Sequence, residues 1–409
     1  ARFIIYYPFI SYISVIFIPQ RYVLGLLGLF ALANSFTMRV CLSMTITQMV
    51  VHAPSSEHII GETCPDTSNI GSTRINHIYE TSHLNRYKIL PSSISIHFQG
   101  RDRYDWNEAT QGFLLSAFYY GYVITHLPGG LLAEKFGGKW TIGLGLLTTS
   151  IATALTPFAV SVGGAIGLFI IRVIEGAGEG PITPAFVLIL ARWVPPSERS
   201  RFGAMIFGGA QIGNILGPYI SGILLSDGGD WANVFYCFGG LGMIWFIFWT
   251  LLCYSTPNTH PFISDEEKKY LNENIEASGL HKKLDPVPFK ALLRSAPLWV
   301  LIMAAVSNRA FFFEDIFLVA SSVPAVFIIL ASYSGCDRVE AVALFVASMA
   351  FMGGFYSSVK INAMDIAPNY AGTCSAFVNG IAAISGIITP YLVGLLTPDV
   401  SARLGYMLS

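Results

Sequence analysis

Residues 112–139 read GFLLSAFYYGYVITHLPGGLLAEKFGGK. Twenty-two uncharged residues, 112–133, are followed at once by Glu134, Lys135 and Lys139 set among Gly137 and Gly138. A helix needs about 20 mostly apolar residues to cross a bilayer. The run is therefore a span that ends in a glycine-rich, charged turn at the water. The glycines permit close helix approach and a tight reversal. The acid and the bases make a charged latch there, formed by Gly130, Glu134, Lys135, Gly137 and Lys139.

Working outward, the same length rule marks spans at 22–46, 140–160, 163–191, 202–226 and 232–254. A polar stretch, 255–296, follows and carries SDEEKKYLNENIEASGLHKK. Ser264 is placed to cap a short amphipathic helix that starts at Asp265. Beyond it lie weaker spans at 297–307, roughly 316–334, 340–360 and 371–397. The division expected is an apolar segment 1–20 of open role, a six-helix bundle 21–254 with a long outer loop 50–105, a hinge 255–296, and a shorter bundle 297–409. The expected fold is an all-α membrane protein of about ten spans.

Composition agrees. Of 409 residues, 53% are hydrophobic and 12% charged, where soluble domains carry about 25% charged. Mean hydropathy is +0.56. The formal net charge of −1 gives no electrostatic basis for nucleic-acid binding. The short loops set the orientation. Those after the second and fourth spans carry Lys135, Lys139, Arg192, Arg199 and Arg201, and the loop after the fifth carries Asp227 and Asp230. Basic loops stay on the cytoplasmic side. The hinge then lies in the cytoplasm and loop 50–105 outside or in a lumen. Cys64 and Cys336 both fall on that outer side, where a disulfide between them is conceivable.

The fourth span holds Arg172, Glu175 and Glu179 at i, i+3 and i+7 of IRVIEGAGEG. That spacing puts them on one helix face. Charges at membrane depth face a bundle interior or a wet cavity. An Arg with two carboxylates binds an anion, or stores protons in its absence; a structural ion-pair cluster is the other reading. Arg39 is the only charge deep in the first span, with no acid at helical spacing. Its fork suits carboxylate or phosphate, and a distant salt bridge to the fourth span is the alternative. His126, alone on the second span, reads as a packing residue before a proton carrier. Gly213, Gly217, Ser221 and Gly222 make the fifth span a closely packing helix. Asp365 lies before Ala-Pro at a helix end, as a gate residue or a simple cap. There is no HExxH, CxxC, P-loop or GxSxG pattern, which leaves no metal site, no cofactor and no enzyme.

The second-span turn resembles the cytoplasmic loop signature of the major facilitator superfamily. The runs IPQRYVLGLLG, TMRVCLS, IRVIEGAGEGPITPAF, ARWVPPSERSRF and MDIAPNYAGT resemble solute carrier family 17, nearest its arthropod inorganic phosphate cotransporter group. The resemblance covers about residues 18–308 and 320–400. It implies a six-plus-six helix architecture and secondary active transport of inorganic phosphate or small organic anions, coupled to Na⁺ or H⁺, by alternating access. It implies a monomer in the plasma membrane or a lysosomal or vesicular membrane, with lipid and a small anion as its partners. It assigns substrate binding to Arg39, Arg172 and Asn308, and ion coupling to Glu175 and Glu179. The chain departs from the family at Cys41, where Asn is usual, at Val187, where many members have His, and at His126, where Gln is usual. After Asn308 on the order of 60 residues are missing, judged by span length. A twelfth span should follow Ser409. The expectation is an incomplete carboxyl half, with a non-transporting truncated isoform or degraded paralogue as the alternative function.

Overall fold

The computed structural model describes residues 19–50, 104–226, 229–276, 370–384 and 386–388, with shorter runs between 294 and 351. Among these residues the chain is helical, and its only β feature is an isolated bridge, Val50 to Tyr104, at the base of loop 50–105. Asn308, Asp365, Cys64 and Cys336 lie outside the described residues.

α1 is Gln20–Met49 and α2 is Glu108–Phe136. Asn107 caps α2, its side-chain oxygen accepting from Thr110 N–H at 2.8 Å. Gly137 ends α2 with φ +90°, a conformation that glycine alone adopts freely. α3, Gly138–Glu179, doubles back at Gly164, where the backbone leaves the helical region. Its halves run antiparallel: Thr149 Oγ1 lies 3.2 Å from the Glu175 carbonyl. A short break at Gly180-Pro181 leads into α4, Ile182–Trp193. Pro181 has no N–H to continue the ladder. The fourth expected span is thus a rod, 165–193, interrupted beside Glu179.

A 3-10 turn, Pro196–Glu198, leads into α5, Arg199–Leu225, and α6 is Trp231–Leu252. α7, Asp265–Glu276, starts where Ser264 accepts from Glu267 N–H at 3.2 Å. Later come α8, Val339–Ser348, and α9, Ala371–Ile388. Four rods among the described residues are long and apolar enough to cross a membrane: Gln20–Met49, Gly138–Trp193, Trp231–Leu252 and Ala371–Ile388.

Small residues set the packing. α5 lies against α1 through Gly209 and Gly213, which face Leu29 and Ala33. α2 crosses the returning half of α3 where Gly121 meets the Val173 carbonyl and Gly176 meets the Phe118 carbonyl. A Cβ at either glycine would run into backbone, so the two axes touch. Lipid tails give no hydrophobic drive between helices, and such close approach supplies the cohesion instead. Ile124, Ile166, Ile244 and Ile247 stay exposed on the outer faces, as expected of surfaces turned to lipid.

Candidate functional site

The charged residues converge where α1, α2 and α3 meet. Arg39 from α1 forms an ion pair with Glu179 from α3. One helical turn away, Arg172 Nη1 pairs with Glu175 Oε2 at 2.7 Å. Arg172 also donates to two α1 carbonyls, Arg39 O at 3.0 Å and Met38 O at 3.5 Å. Thr153 Oγ1 donates to Glu175 Oε1 at 2.8 Å. The shared face read from i, i+3 and i+7 spacing is real, and it points at α1.

The two pairs differ in exposure. The side chains of Arg172 and Glu175 are 2% and 0% exposed, while Arg39 keeps 20% and Glu179 3%. The first pair is sealed inside the bundle with its charge locally balanced. The second leaves part of the Arg39 side chain exposed. Arg39 Nε and Glu179 Oε2 are buried without a well-formed hydrogen bond among the described residues; the Tyr122 hydroxyl borders Arg39 and the Ser35 hydroxyl borders Glu179. The pair's remaining donor and acceptor are thus only loosely held. Three rings hold the Arg39 guanidinium: Phe36 at 4.4 Å, Phe118 at 4.8 Å and Tyr122 at 5.2 Å from their centroids. Spacing alone showed none of these rings, nor Thr153. The stripe Thr149, Thr153, Thr156 at i, i+4 and i+7 in an apolar span was the available signal for Thr153.

Cys41 lies beside this cluster, buried, with Sγ 2.9 Å from the Met38 carbonyl. Val187 is buried on α4. His126 is buried on α2, tilted against Tyr122 at 4.7 Å, with Gly380 of α9 facing its ring. The first span's Arg thus pairs with the fourth span, as the alternative reading had it.

The turn after α2 separates its charges. Glu134 crosses to α9, its Oε1 accepting from Thr373 N–H at 3.0 Å and Thr373 Oγ1–H at 2.8 Å. A carboxylate on the first turn of a helix meets free N–H groups and the positive end of the dipole. Gly130 lies beside it against Gly372 and Ala376 of α9. Lys139 turns away from α9, its Nζ 3.8 Å above the Tyr254 ring. Its backbone N–H donates to Ser255 Oγ at 3.2 Å. Lys135 sits near the Phe136 ring at 5.4 Å. Of the expected latch, Gly130 and Glu134 touch the other half of the chain, and Lys139 anchors the end of α6.

The Major Facilitator Superfamily profile matches residues 81–334. The chain belongs to the major facilitator superfamily. Within the superfamily it belongs to solute carrier family 17. A Drosophila ananassae protein named "Putative inorganic phosphate cotransporter" is 32% identical over 432 residues, covering 90% of this chain and 84% of that one. Human sialin is 31% identical over 441 residues, covering 93% and 83%. Bovine vesicular glutamate transporter 2 is 29% identical over 360 residues, covering 73% and 61%. The xylose transporter XylE from E. coli, in a partially occluded inward open conformation, superposes with a TM-score of 0.56 at 11% identity, covering 92% and 91%. That likeness shows the fold. The superfamily member is a multi-pass membrane transporter and not an enzyme. The match to the Drosophila ananassae protein contains gaps. The 432 aligned positions take in 90% of 409 residues, about 368, so about 64 positions have no residue in this chain.

Proposed function

We propose that the chain moves inorganic phosphate or a small organic anion across a membrane, coupled to H⁺ or Na⁺, with Arg39 and Glu179 at the centre. The observation that carries this reading is the Arg39–Glu179 pair between two helices, partly open and short of hydrogen bonds. In the empty site Glu179 neutralises Arg39. An arriving anion takes the guanidinium, whose fork matches carboxylate and phosphate. The displaced Glu179 carboxylate is then left nearly dry, and a bare charge there is costly. Taking a proton or Na⁺ removes that cost, so anion binding and ion binding occur together. Arg172 serves this scheme as a positioning residue: it holds the α1 backbone at Met38 and Arg39. Glu175 balances the Arg172 charge and holds the side chain in place, and Asn308 is read as a substrate contact on the family resemblance alone.

Rocking of two halves about this site opens it to each side in turn. The Glu134–Thr373 contact closes the halves on the face that carries the basic loops, read as cytoplasmic. The names of the relatives support an anionic substrate, phosphate or glutamate, and that of the vesicular glutamate transporter supports a vesicular membrane. The chain is read as a monomer.

The missing 64 aligned positions favour a second reading, a chain that folds but does not transport. The purified chain in liposomes decides between them. Under an inward H⁺ or Na⁺ gradient, accumulation of labelled phosphate, glutamate or sialic acid above that of empty liposomes supports transport. Arg39→Ala should abolish it. A folded chain that accumulates none of these supports the second reading.

A further inference from the structure

The segment leaving α6 is tied to the helix ends at two places. At the near end, His260 Nε2 lies 3.2 Å from the Leu252 carbonyl, and Phe262 N–H donates to Nδ1 at 3.1 Å. A ring nitrogen that accepts carries no proton, so the proton sits on Nε2 and His260 is neutral. The ring packs edge-on to Tyr254 at 4.7 Å and Trp193 at 5.6 Å, and Trp193 Nε1 donates to the Tyr254 carbonyl at 2.9 Å.

At the far end, the Glu267 carboxylate accepts from Gln20 N–H at 2.8 Å and Arg21 N–H at 3.2 Å. α1 has Pro19 at its cap and no acid in its first turn. Its first N–H groups need an acceptor, and Glu267 supplies one from 247 residues away. Arg21 closes the clasp, 3.4 Å from Glu198 and 4.9 Å over the Tyr270 ring, while Tyr270 O–H donates to Glu198 at 3.3 Å. Leu271 and Ile275 pin the underside of α7, both buried in the core.

We infer that residues 255–276 form an acid-released strap: held while His260 is neutral, and freed together with the cap on α1 when His260 gains a proton. Protonation at Nδ1 removes the acceptor of Phe262 N–H, three residues before α7 begins. The ionisable groups on this side are Lys139 from α3, with Cys253 beside it, and Tyr254 from the chain after α6. Among the described residues no carboxylate lies within ion-pair distance of His260. The new cation has Lys139 for company and, among the described residues, no ion-paired carboxylate to balance it. Burial is the largest effect on His260 and, with the smaller Lys139 charge, outweighs the Leu252 carbonyl that favours the proton, so the ring lies below its ordinary value. The neutral ring's contribution is complete above about pH 6.5 and is lost as pH falls.

Hydrogen exchange of the full chain in nanodiscs, corrected for intrinsic rates, tests this between pH 7.5 and 5.5. Exchange over 262–276 and over the first turn of α1 should rise together as pH falls, by up to about tenfold per pH unit for one linked proton. Exchange over 140–160 should not change. His260→Asn offers Oδ1 to Phe262 N–H without titrating, and its strap should be insensitive to pH. A wild-type strap that ignores pH, or a midpoint at or above about 6.5, overturns the inference. So does a His260→Asn strap with the wild-type profile. Should that variant fail to fold, the wild-type midpoint decides alone. If α7 loosens and the α1 first turn does not, the linkage through Glu267 is wrong.

Discussion

Replacing Glu134 by Ala should unlock α2 from α9. The carboxylate accepts two hydrogen bonds from Thr373, at 3.0 and 2.8 Å, on the first turn of α9. Hydrogen bonds to charged groups contribute about 1.5–3 kcal/mol each where dry, and a charge at a helix start adds about 0.3–1 kcal/mol. Glu134 is only half-buried, which cuts these figures. About 2 kcal/mol remains, or roughly a thirtyfold shift between closed and open seams. Cys374, buried on the same turn of α9, reports the shift. Its alkylation rate, read on its own peptide by mass spectrometry, should rise by about that factor in Glu134→Ala. Glu134→Gln keeps an acceptor oxygen and loses the charge, and should fall between the two. A rate within about twofold of wild type in Glu134→Ala would show that the contact does not hold the seam, since thirtyfold is the expected size.

Other outcomes follow from the same packing. Arg172→Met should cost about 3–5 kcal/mol, because it leaves the buried Glu175 charge without its counter-ion, with only the Thr153 hydroxyl beside it; thermal unfolding in detergent checks this, and Arg172→Met with Glu175→Leu should regain most of the loss. Gly176→Leu should prevent α3 from seating on α2, because its side chain meets the Phe118 backbone, and the folded yield should collapse where Gly163→Leu, with open space around it, leaves it intact. Gly137→Ala must adopt φ +90°, and should lower stability by about 1 kcal/mol or more, read from the same melts.

The helices were legible wherever one local rule decided them. Apolar runs located the rods, Ser264 located the start of α7, and the i, i+3, i+7 spacing located the buried face of Arg172, Glu175 and Glu179. What spacing could not show was the partner on another helix. Arg39 finds Glu179 across 140 residues, Glu134 finds Thr373 across 239, and Glu267 caps α1 across 247. No periodicity within one segment encodes such a pairing. Lys139 shows the converse. Its neighbours in sequence suggested a latch with Glu134, yet the turn at Gly137 sends it to Tyr254. The break at Gly180-Pro181 was written in the dipeptide, but the surrounding apolar run masked it.

The most direct measurement compares Glu179→Gln with wild type in liposomes holding labelled anion, under two regimes. One is accumulation driven by a H⁺ or Na⁺ gradient; the other is anion exchange with no gradient. If Glu179 carries the coupling, the variant should lose accumulation and keep exchange. Gradient-driven accumulation equal to wild type would contradict the coupling role of the Arg39–Glu179 pair.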